Sequence, residues 1–373
     1  VKFEAKKSVL LQALQSASYA VPNKATLQIL NNFLLRLEGN FLEISGTDLD
    51  LGIRVRTEVV GGRNGSIVVN ARKLLDLVKV LPDTQITISE EDYLLRVTWG
   101  QKGKASITGF DASDFPAFPE LGEGQSLSLS RAELAFLSDK TLFAVSTDST
   151  RLTLNGVFVE PKENYLQFVA TDGHRMGKAY IEQESNTLQK GVIVPPKAVT
   201  HVLRAVGDES QVEISINDSH ILFAGDGIQV VSKLIEGPYP KYESVVPVHF
   251  ERTVQANRSE LNEAIKHVLA IANQRTRQIR LQLDAGNLEI SASDPGTGGE
   301  CRESLTVSHQ NGALDPQFAI GFNGQYLAEV LGMCPSEEVL VKMNSPVGAC
   351  IIEPIGEGLD FFFLLMPLRL VDD

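Results

Sequence analysis

Cysteine is scarce in this 373-residue chain: Cys301, Cys334 and Cys350 are the whole supply, with no paired metal-ligand spacing. That excludes a disulfide-stapled framework and a zinc ribbon, and it fits a reducing compartment. Histidine is thin as well. Beyond His174, the remaining five (His201, His220, His249, His267, His309) are scattered singly, with no H-E-x-x-H pair. There is no G-x-S-x-G elbow, P-loop or G-x-G-x-x-G. No apolar run reaches the ~18–20 residues of a membrane helix; the longest, Phe361-Phe362-Phe363-Leu364-Leu365-Met366, is strand-sized. The stretch Val1-Lys2-Phe3-Glu4-Ala5-Lys6-Lys7 lacks the basic-then-apolar layout of a signal peptide, so a cytoplasmic protein is expected. Positive charge is the last shortage: 34 Lys and Arg stand against 47 Asp and Glu, a net −13. Such a balance runs against the basic surplus usual in DNA binders.

What the sequence does have is repetition. Leu42-Glu43-Ile44-Ser45-Gly46-Thr47-Asp48 returns as Leu166-Gln167-Phe168-Val169-Ala170-Thr171-Asp172 and again as Leu288-Glu289-Ile290-Ser291-Ala292-Ser293-Asp294, at offsets of 124 and 122 residues. A second landmark runs Ser66 to Leu75, Gly191 to Val199 and Gln317 to Leu327, with Val69, Val194 and Phe322 each preceding an amphipathic helix. The openings 3–14, 129–137 and 254–265 also correspond, each a short strand and then a helix. Three domains are expected, at 1–122, 123–248 and 249–373, each large enough to bury its own core. Alternating runs such as Gln85-Ile86-Thr87-Ile88-Ser89 and Gln211-Val212-Glu213-Ile214-Ser215-Ile216 read as strands. The stripes Leu74, Leu75, Leu77, Val78, Leu81 (stopped by Pro82) and Leu261, Ile265, Val268, Leu269 read as helices. The fold class is therefore α+β, each unit two helices laid on antiparallel sheet.

Six helices are predicted, at 6–20, 71–81, 131–141, 196–206, 258–272 and 323–333. Their charges are +2, +2, 0, +2, 0 and −1, so the helices carry +5 and the rest of the chain −18. Arg275 and Arg277 follow the fifth helix and extend the trend. Base on helices and acid on strands and loops suits a ring whose weakly basic lining faces phosphates while its acidic exterior repels nonspecific DNA. A strongly basic lining would resist sliding, because each neutralised phosphate adds affinity.

An enzyme could be imagined around Asp172, His174 and Arg175, since Asp and His at i, i+2 suit a metal or an acid–base pair. The pattern of repeats opposes it. Thr47-Asp48, Thr171-Asp172 and Ser293-Asp294 recur in all three units, as a structural Asx-type turn would. Gly173, His174 and Arg175 belong to the second unit alone, which suits binding there. Gly296-Thr297-Gly298-Gly299 precedes Glu300 and no helix, so it reads as a turn.

Ala170-Thr171-Asp172-Gly173-His174-Arg175 resembles the signature of the bacterial DNA polymerase III β sliding clamp family, and Leu365-Met366-Pro367-Leu368-Arg369-Leu370 resembles its tail. Gly46-Thr47-Asp48-Leu49, Ala112-Ser113-Asp114-Phe115-Pro116, Val194-Pro195-Pro196-Lys197 and Ser232-Lys233-Leu234-Ile235-Glu236-Gly237 are further matches, in the family's order through all three domains. The resemblance implies three repeated DNA-clamp domains forming half of a closed ring. It implies a head-to-tail homodimer that encircles duplex DNA without sequence preference, slides along it and acts as a processivity factor. Neither cofactor, metal nor catalytic site is implied; polymerase activity belongs to the holoenzyme.

Implied partners are the replicative polymerase alpha subunit, the clamp loader, and repair and translesion polymerases, all through short peptide motifs. By motif match the peptide site comprises Leu154, Thr171, Gly173, His174, Arg175 and Met176, then Pro240 and Val245, then Leu364, Leu365, Met366, Pro367, Leu368 and Arg369. Candidate DNA contacts are Lys24, Arg72, Lys73, Arg151, Lys197, Arg275 and Arg277; candidate subunit contacts are Ile107, Leu269 and Ile271. The chain departs from the family's pattern at Ser244, where Arg is common, at Leu152 and Thr153, where some members carry tyrosines, and in the extra Val371-Asp372-Asp373. The alternative to a ring is a DNA-associated interaction scaffold that does not encircle its duplex.

Overall fold

The computed structural model describes every residue except 102, 122–123, 184–187, 285, 312–317, 357, 359 and 371–373. Among the described residues there are six α-helices: α1 Lys7–Ser18, α2 Ala71–Val80, α3 Arg131–Asp139, α4 Pro196–Ala205, α5 Arg258–Leu269 and α6 Gly324–Met333. All six predicted helices are present, each shorter than expected by one to three residues. The trimmed ends have physical causes. Asn323 lies outside α6 as its N-cap, accepting from the amides of Gln325 and Tyr326, and Asn70 caps α2 in the same way through Lys73 N. In the second unit the equivalent position is Pro195, followed by Pro196 at the first helical position, where a missing N–H costs nothing. At the far ends, Ala270 N bonds His267 O and Ala20 N bonds Ala17 O, so the last turns tighten and stop. The observed helices carry +3, leaving −16 elsewhere, so the segregation of charge persists.

The chain forms two compact units. One contains 1–135, 187–189 and 194–234; the other contains 136–186, 190–193 and 235–373. The second repeat is thus divided. Strands crossing from one repeat to the next explain the division. In the first unit, Leu51–Glu58 of the first repeat pairs antiparallel with Ile228–Lys233 of the second, within a sheet of thirteen strands. In the other, Arg175–Glu182 of the second repeat pairs with Phe361–Leu365 of the third, within a sheet of nine. A separate four-stranded sheet ends on Gly299–Thr306.

The cores follow the predicted stripes. Leu74, Leu75, Val78 and Leu81 are buried, as are Leu261, Ile265 and Val268, while Leu77 and Leu269 are only half-buried. Phe361-Phe362-Phe363-Leu364-Leu365 is a strand, with Phe363 fully buried edge-on to Phe143 at 5.4 Å. Close packing of the end of α3 on the sheet depends on Gly177, where a Cβ would lie 2.2 Å from Lys140 O. Cys350 and Cys334 are interior, and burial pushes their thiols up to about 12 and about 11.

Candidate functional site

The Thr-Asp pair builds the predicted turn. Asp172 Oδ1 accepts from His174 N (2.8 Å) and Arg175 N (3.0 Å), and Thr171 Oγ1 donates to Arg175 O (2.7 Å). Asp48 accepts from Asp50 N and Leu51 N in the same manner, and Thr47 Oγ1 donates to Leu51 O. The third residue of the turn is left-handed in both, φ +89° at Gly173 and +79° at Leu49. Glycine tolerates that backbone; leucine accepts it at about 1–2 kcal/mol. Pro295 holds this position in the third repeat and cannot adopt positive φ, so the turn is rebuilt with Gly298 N bonding Asp294 O at 2.8 Å.

Arg175 is a hub. Its Nε bonds Asp172 Oδ2 at 3.1 Å, its Nη2 donates to Phe143 O at 3.0 Å, and its Nη1 pairs with Glu329 on α6. The guanidinium also lies over the Tyr326 ring, 4.3 Å from the centroid. Only 13% of this side chain is exposed. The guanidinium therefore joins the signature turn to α6 and offers little surface.

The other wall residues sort by exposure. Met176 and Leu364 sit opposite each other across paired strands and are buried with Tyr242, Val169 and Ile351 in one apolar cluster. Leu154, Thr171 and Leu365 are also buried. Gly173, His174, Pro240, Val245, Met366 and Arg369 are exposed, and Pro367 and Leu368 half-exposed. The tail is fixed to the turn through Met366 N and His174 O (2.8 Å), and to the third repeat through Leu368 N and Gly321 O (2.8 Å). Gly237 packs against Thr153, bringing the 237–246 segment to the short helix that carries Leu154. The result is an apolar surface with a few polar groups and an interior support, suited to an extended hydrophobic peptide. Ser244 donates to Lys241 O, so it serves its own turn. Val371-Asp372-Asp373 lie outside the described residues.

Sequence reasoning missed Tyr242 and Tyr239. They pack beneath Pro240 and Val245, with Tyr239 stacked on Phe158 at 4.7 Å. The only available signal was an aromatic pair flanking Pro240 in Tyr239-Pro240-Lys241-Tyr242.

The basic candidates divide between the units. Lys24, Arg72, Lys73 and Lys197 are exposed, Arg72 with 92% of its side chain free beside Asp76. Arg275 is exposed, and Arg277 is half-buried with φ +51°. Arg151 differs from the rest. Its Nε bonds Asp148 Oδ2 (3.0 Å) and its Nη1 bonds Asp172 O (2.8 Å), so it braces the signature turn. Of the seam candidates, Ile107 is 9% exposed, whereas Ile271 is 38% exposed, a large apolar side chain left in solvent in the protomer.

On α4, His201 stacks on Tyr19 with centroids 5.0 Å apart and planes 13° from parallel. Burial, then the neighbouring Arg204 and Lys197, hold its imidazole below the ordinary 6.5, with Asp48 opposing. Below that pH the unfolded chain takes up a proton that the folded chain resists. The stabilisation is thus complete above about pH 6.5 and is lost as pH falls. His201→Phe keeps the stack and removes the titration. Its urea midpoint should vary less between pH 5 and 6.5 than the parent's; equal slopes would exclude the histidine as the cause.

Residues 1–119, 128–241 and 243–369 match, in order, the N-terminal, central and C-terminal domains of the DNA polymerase III beta subunit. The beta sliding clamp of Pseudomonas putida is 33% identical, covering 99% of this chain and all of its own, and that of Vibrio cholerae is 32% identical with the same coverage. A crystal structure of a sliding clamp from Pseudomonas aeruginosa bound to griselimycin superposes with a TM-score of 0.93 at 32% identity, covering 99% of each chain. Three α+β clamp domains in tandem define the class. The chain belongs to the DNA polymerase III beta subunit family, the bacterial sliding clamps, which are processivity factors without a catalytic site of their own. Asp172, His174 and Arg175 accordingly build and brace a turn.

Proposed function

We propose that two copies of this chain close head to tail into a ring around duplex DNA, and that the ring slides while tethering its partners through the surface around His174 and Met366. The supporting observation is a pair of free strand edges in complementary places. At each seam between repeats, the strand after the Thr-Asp turn pairs with the last strand of the next repeat: Leu51 opposite Ser232, and Arg175 opposite Leu365. In the third repeat the strand after the turn, Gly299–Thr306, pairs on one side only among the described residues. In the first repeat the last strand, Gly103–Phe110, is paired on its second side, among the described residues, only at Gly109 and Phe110. Each chain thus ends on one half of a seam and begins with the other, a heterologous contact that closes when the rotation permits.

The repeats also supply the register. Ser232 lies three residues before Ile235, which bridges to Ile193, and Leu365 lies three before Leu368, which bridges to Gly321. The equivalent bridge in the first repeat joins Phe110 to Val68. Leu51 and Arg175 each precede the residue paired with the turn threonine, and in the third repeat, whose turn is longer, Gly299 precedes Glu300, the partner of Ser293. Counting back three from Phe110 gives Ile107, opposite Gly299 of the partner subunit. Ser106 then faces Glu300 of the partner subunit, and Lys104 lies on the diagonal from that carboxylate. Ile107 and the partner's Ile271 supply apolar contact, with Leu269 behind.

In this reading Lys24, Arg72, Lys73, Lys197, Arg275 and Arg277 face phosphates, while Arg151 holds the turn. The domains run 1–122, 123–248 and 249–373. The replicative polymerase alpha subunit, the clamp loader, and repair and translesion polymerases dock by short peptides on the groove, and we assign to the same groove the griselimycin that the Pseudomonas aeruginosa clamp binds. The protein works in the cytoplasm; no helix among the described residues is long and apolar enough to cross a membrane.

The test joins register to topology. Ser106→Cys with Glu300→Cys should oxidise to a covalent ring bearing two intersubunit bridges. Loaded on nicked circular DNA by a clamp loader, the protein should survive high salt and leave only when the DNA is linearised. Loss at high salt from an intact circle would sink the ring and favour an electrostatically held scaffold.

A further inference from the structure

The groove wall that carries Pro240 and Val245 has no regular strand to hold it. Between them lies only a 3-10 turn, Tyr242–Val245. Its support comes from beneath. The Tyr242 ring is 4% exposed and packs with Met176 and Leu364. Its hydroxyl donates to Glu160 Oε2 at 2.6 Å. Gln167, fully buried, donates to that same hydroxyl and to Glu160 Oε2. Lys162 Nζ closes the network on Glu160 Oε1 at 2.7 Å and reaches Glu243 at 3.6 Å. Glu160 and Gln167 sit on adjacent paired strands, Val157–Pro161 and Tyr165–Thr171, directly opposite each other. The second of these strands ends in the signature Thr171.

We propose that Tyr242 and Glu160 are positioning residues for the peptide groove: their buried hydrogen bond fixes the height of Pro240 and Val245 over Met366 without either side chain touching the ligand. The inference rests on the reading of this surface as the partner groove. Three features make the network a determinant of geometry as well as of stability. The hydroxyl is a polar anchor reaching from this turn into the interior cluster, so the turn's distance from the sheet is set there. The same hairpin bears both the anchor and Thr171, so one rigid element spaces two walls of the groove. Tyr242 N also bonds Pro240 O at 2.7 Å, which passes the anchor's position directly to the exposed proline.

Lys178 lies over the Tyr242 ring, 5.8 Å from its centroid, opposite Val169 and so on the same sheet face as Gln167. Burial, then Lys162, lowers its pKa, with Glu160 and Glu243 opposing. A polar group removed from this interior therefore leaves neighbours that have no water to turn to.

The probe is griselimycin, with affinity measured by calorimetry on the full-length dimer. Tyr242→Phe keeps the packed ring and removes the anchor. It should weaken griselimycin about tenfold and raise hydrogen exchange at 240–246, while the dimer dissociation constant read by sedimentation is unchanged. Glu160→Gln, which still accepts from the tyrosine but loses the ion pair to Lys162, should recover most of the affinity. Unchanged griselimycin affinity in Tyr242→Phe, alongside a lower melting temperature, would make the network merely structural and overturn the proposal. Should Tyr242→Phe fail to fold, Glu160→Ala decides by the same readout. No binding by the parent protein would instead remove the groove reading, which Met366→Ala tests separately.

Discussion

Replacing Arg175 with methionine should destabilise the protein by about 3–5 kcal/mol, the range for breaking a buried ion pair by removing one partner. The chemistry is one-sided. Asp172 keeps two backbone donors but loses the guanidinium, and Phe143 O loses its donor. Methionine fills much of the volume, and the Tyr326 face loses its cation. Glu329, with 43% of its side chain exposed, can turn to water, so its share is small. Arg175→Lys should restore only part, because an ammonium cannot serve Asp172, Glu329 and Phe143 O in the fixed geometry of a fork. A shift of the urea midpoint at constant slope reads the effect. A loss under about 1 kcal/mol would return Arg175 to the class of exposed pairs and make it a ligand-facing residue.

The second large effect concerns assembly. Ile271→Asp should raise the dimer dissociation constant by at least about a hundredfold, roughly 2.7 kcal/mol, and abolish topological retention on DNA. A carboxylate in an apolar seam is left without a partner, a penalty of this order or larger. Folding should be spared, since Ile271 is already exposed in the protomer. Leu269 would be a poorer probe: its side chain packs on Gly324 at the start of α6, so its replacement mixes folding with assembly. Sedimentation at micromolar concentration separates the outcomes, and a dimer unaffected by Ile271→Asp would move the seam elsewhere.

The His201 titration and the Tyr242 anchor bear on smaller energies, yet both involve residues whose importance no periodicity announces. His201 is one of several scattered histidines in the sequence. Its shifted proton affinity arises because α4 sets it beside Tyr19, the residue that ends α1, with Arg204 and Lys197 on the same helix. Tyr242 reads as one more aromatic near a proline until the hairpin holding Glu160 and Gln167 is placed under it.

The sequence by itself determined the repeats, the six helices and the class of fold. Each rests on local information: spacing of 3.6 or 2 for burial, Asn and Pro at helix starts, and a Thr-Asp pair whose side chains bond the next few amides. It also determined the segregation of charge, because helical segments can be counted without knowing where they lie. Only the tertiary structure decided which residues of the signature present themselves. Gly173 and His174 reach solvent, whereas Arg175 is largely buried among carboxylates and carbonyls, and Arg151, exposed, commits its guanidinium to Asp148 and the Asp172 carbonyl. It alone showed that the second repeat is shared between two compact units, and that among the described residues one strand edge at each end of the three-repeat series lacks a full partner. The reason is the same in each case. Burial of a charge and pairing of a strand are settled by neighbours far away in the chain, and a local pattern carries no record of them.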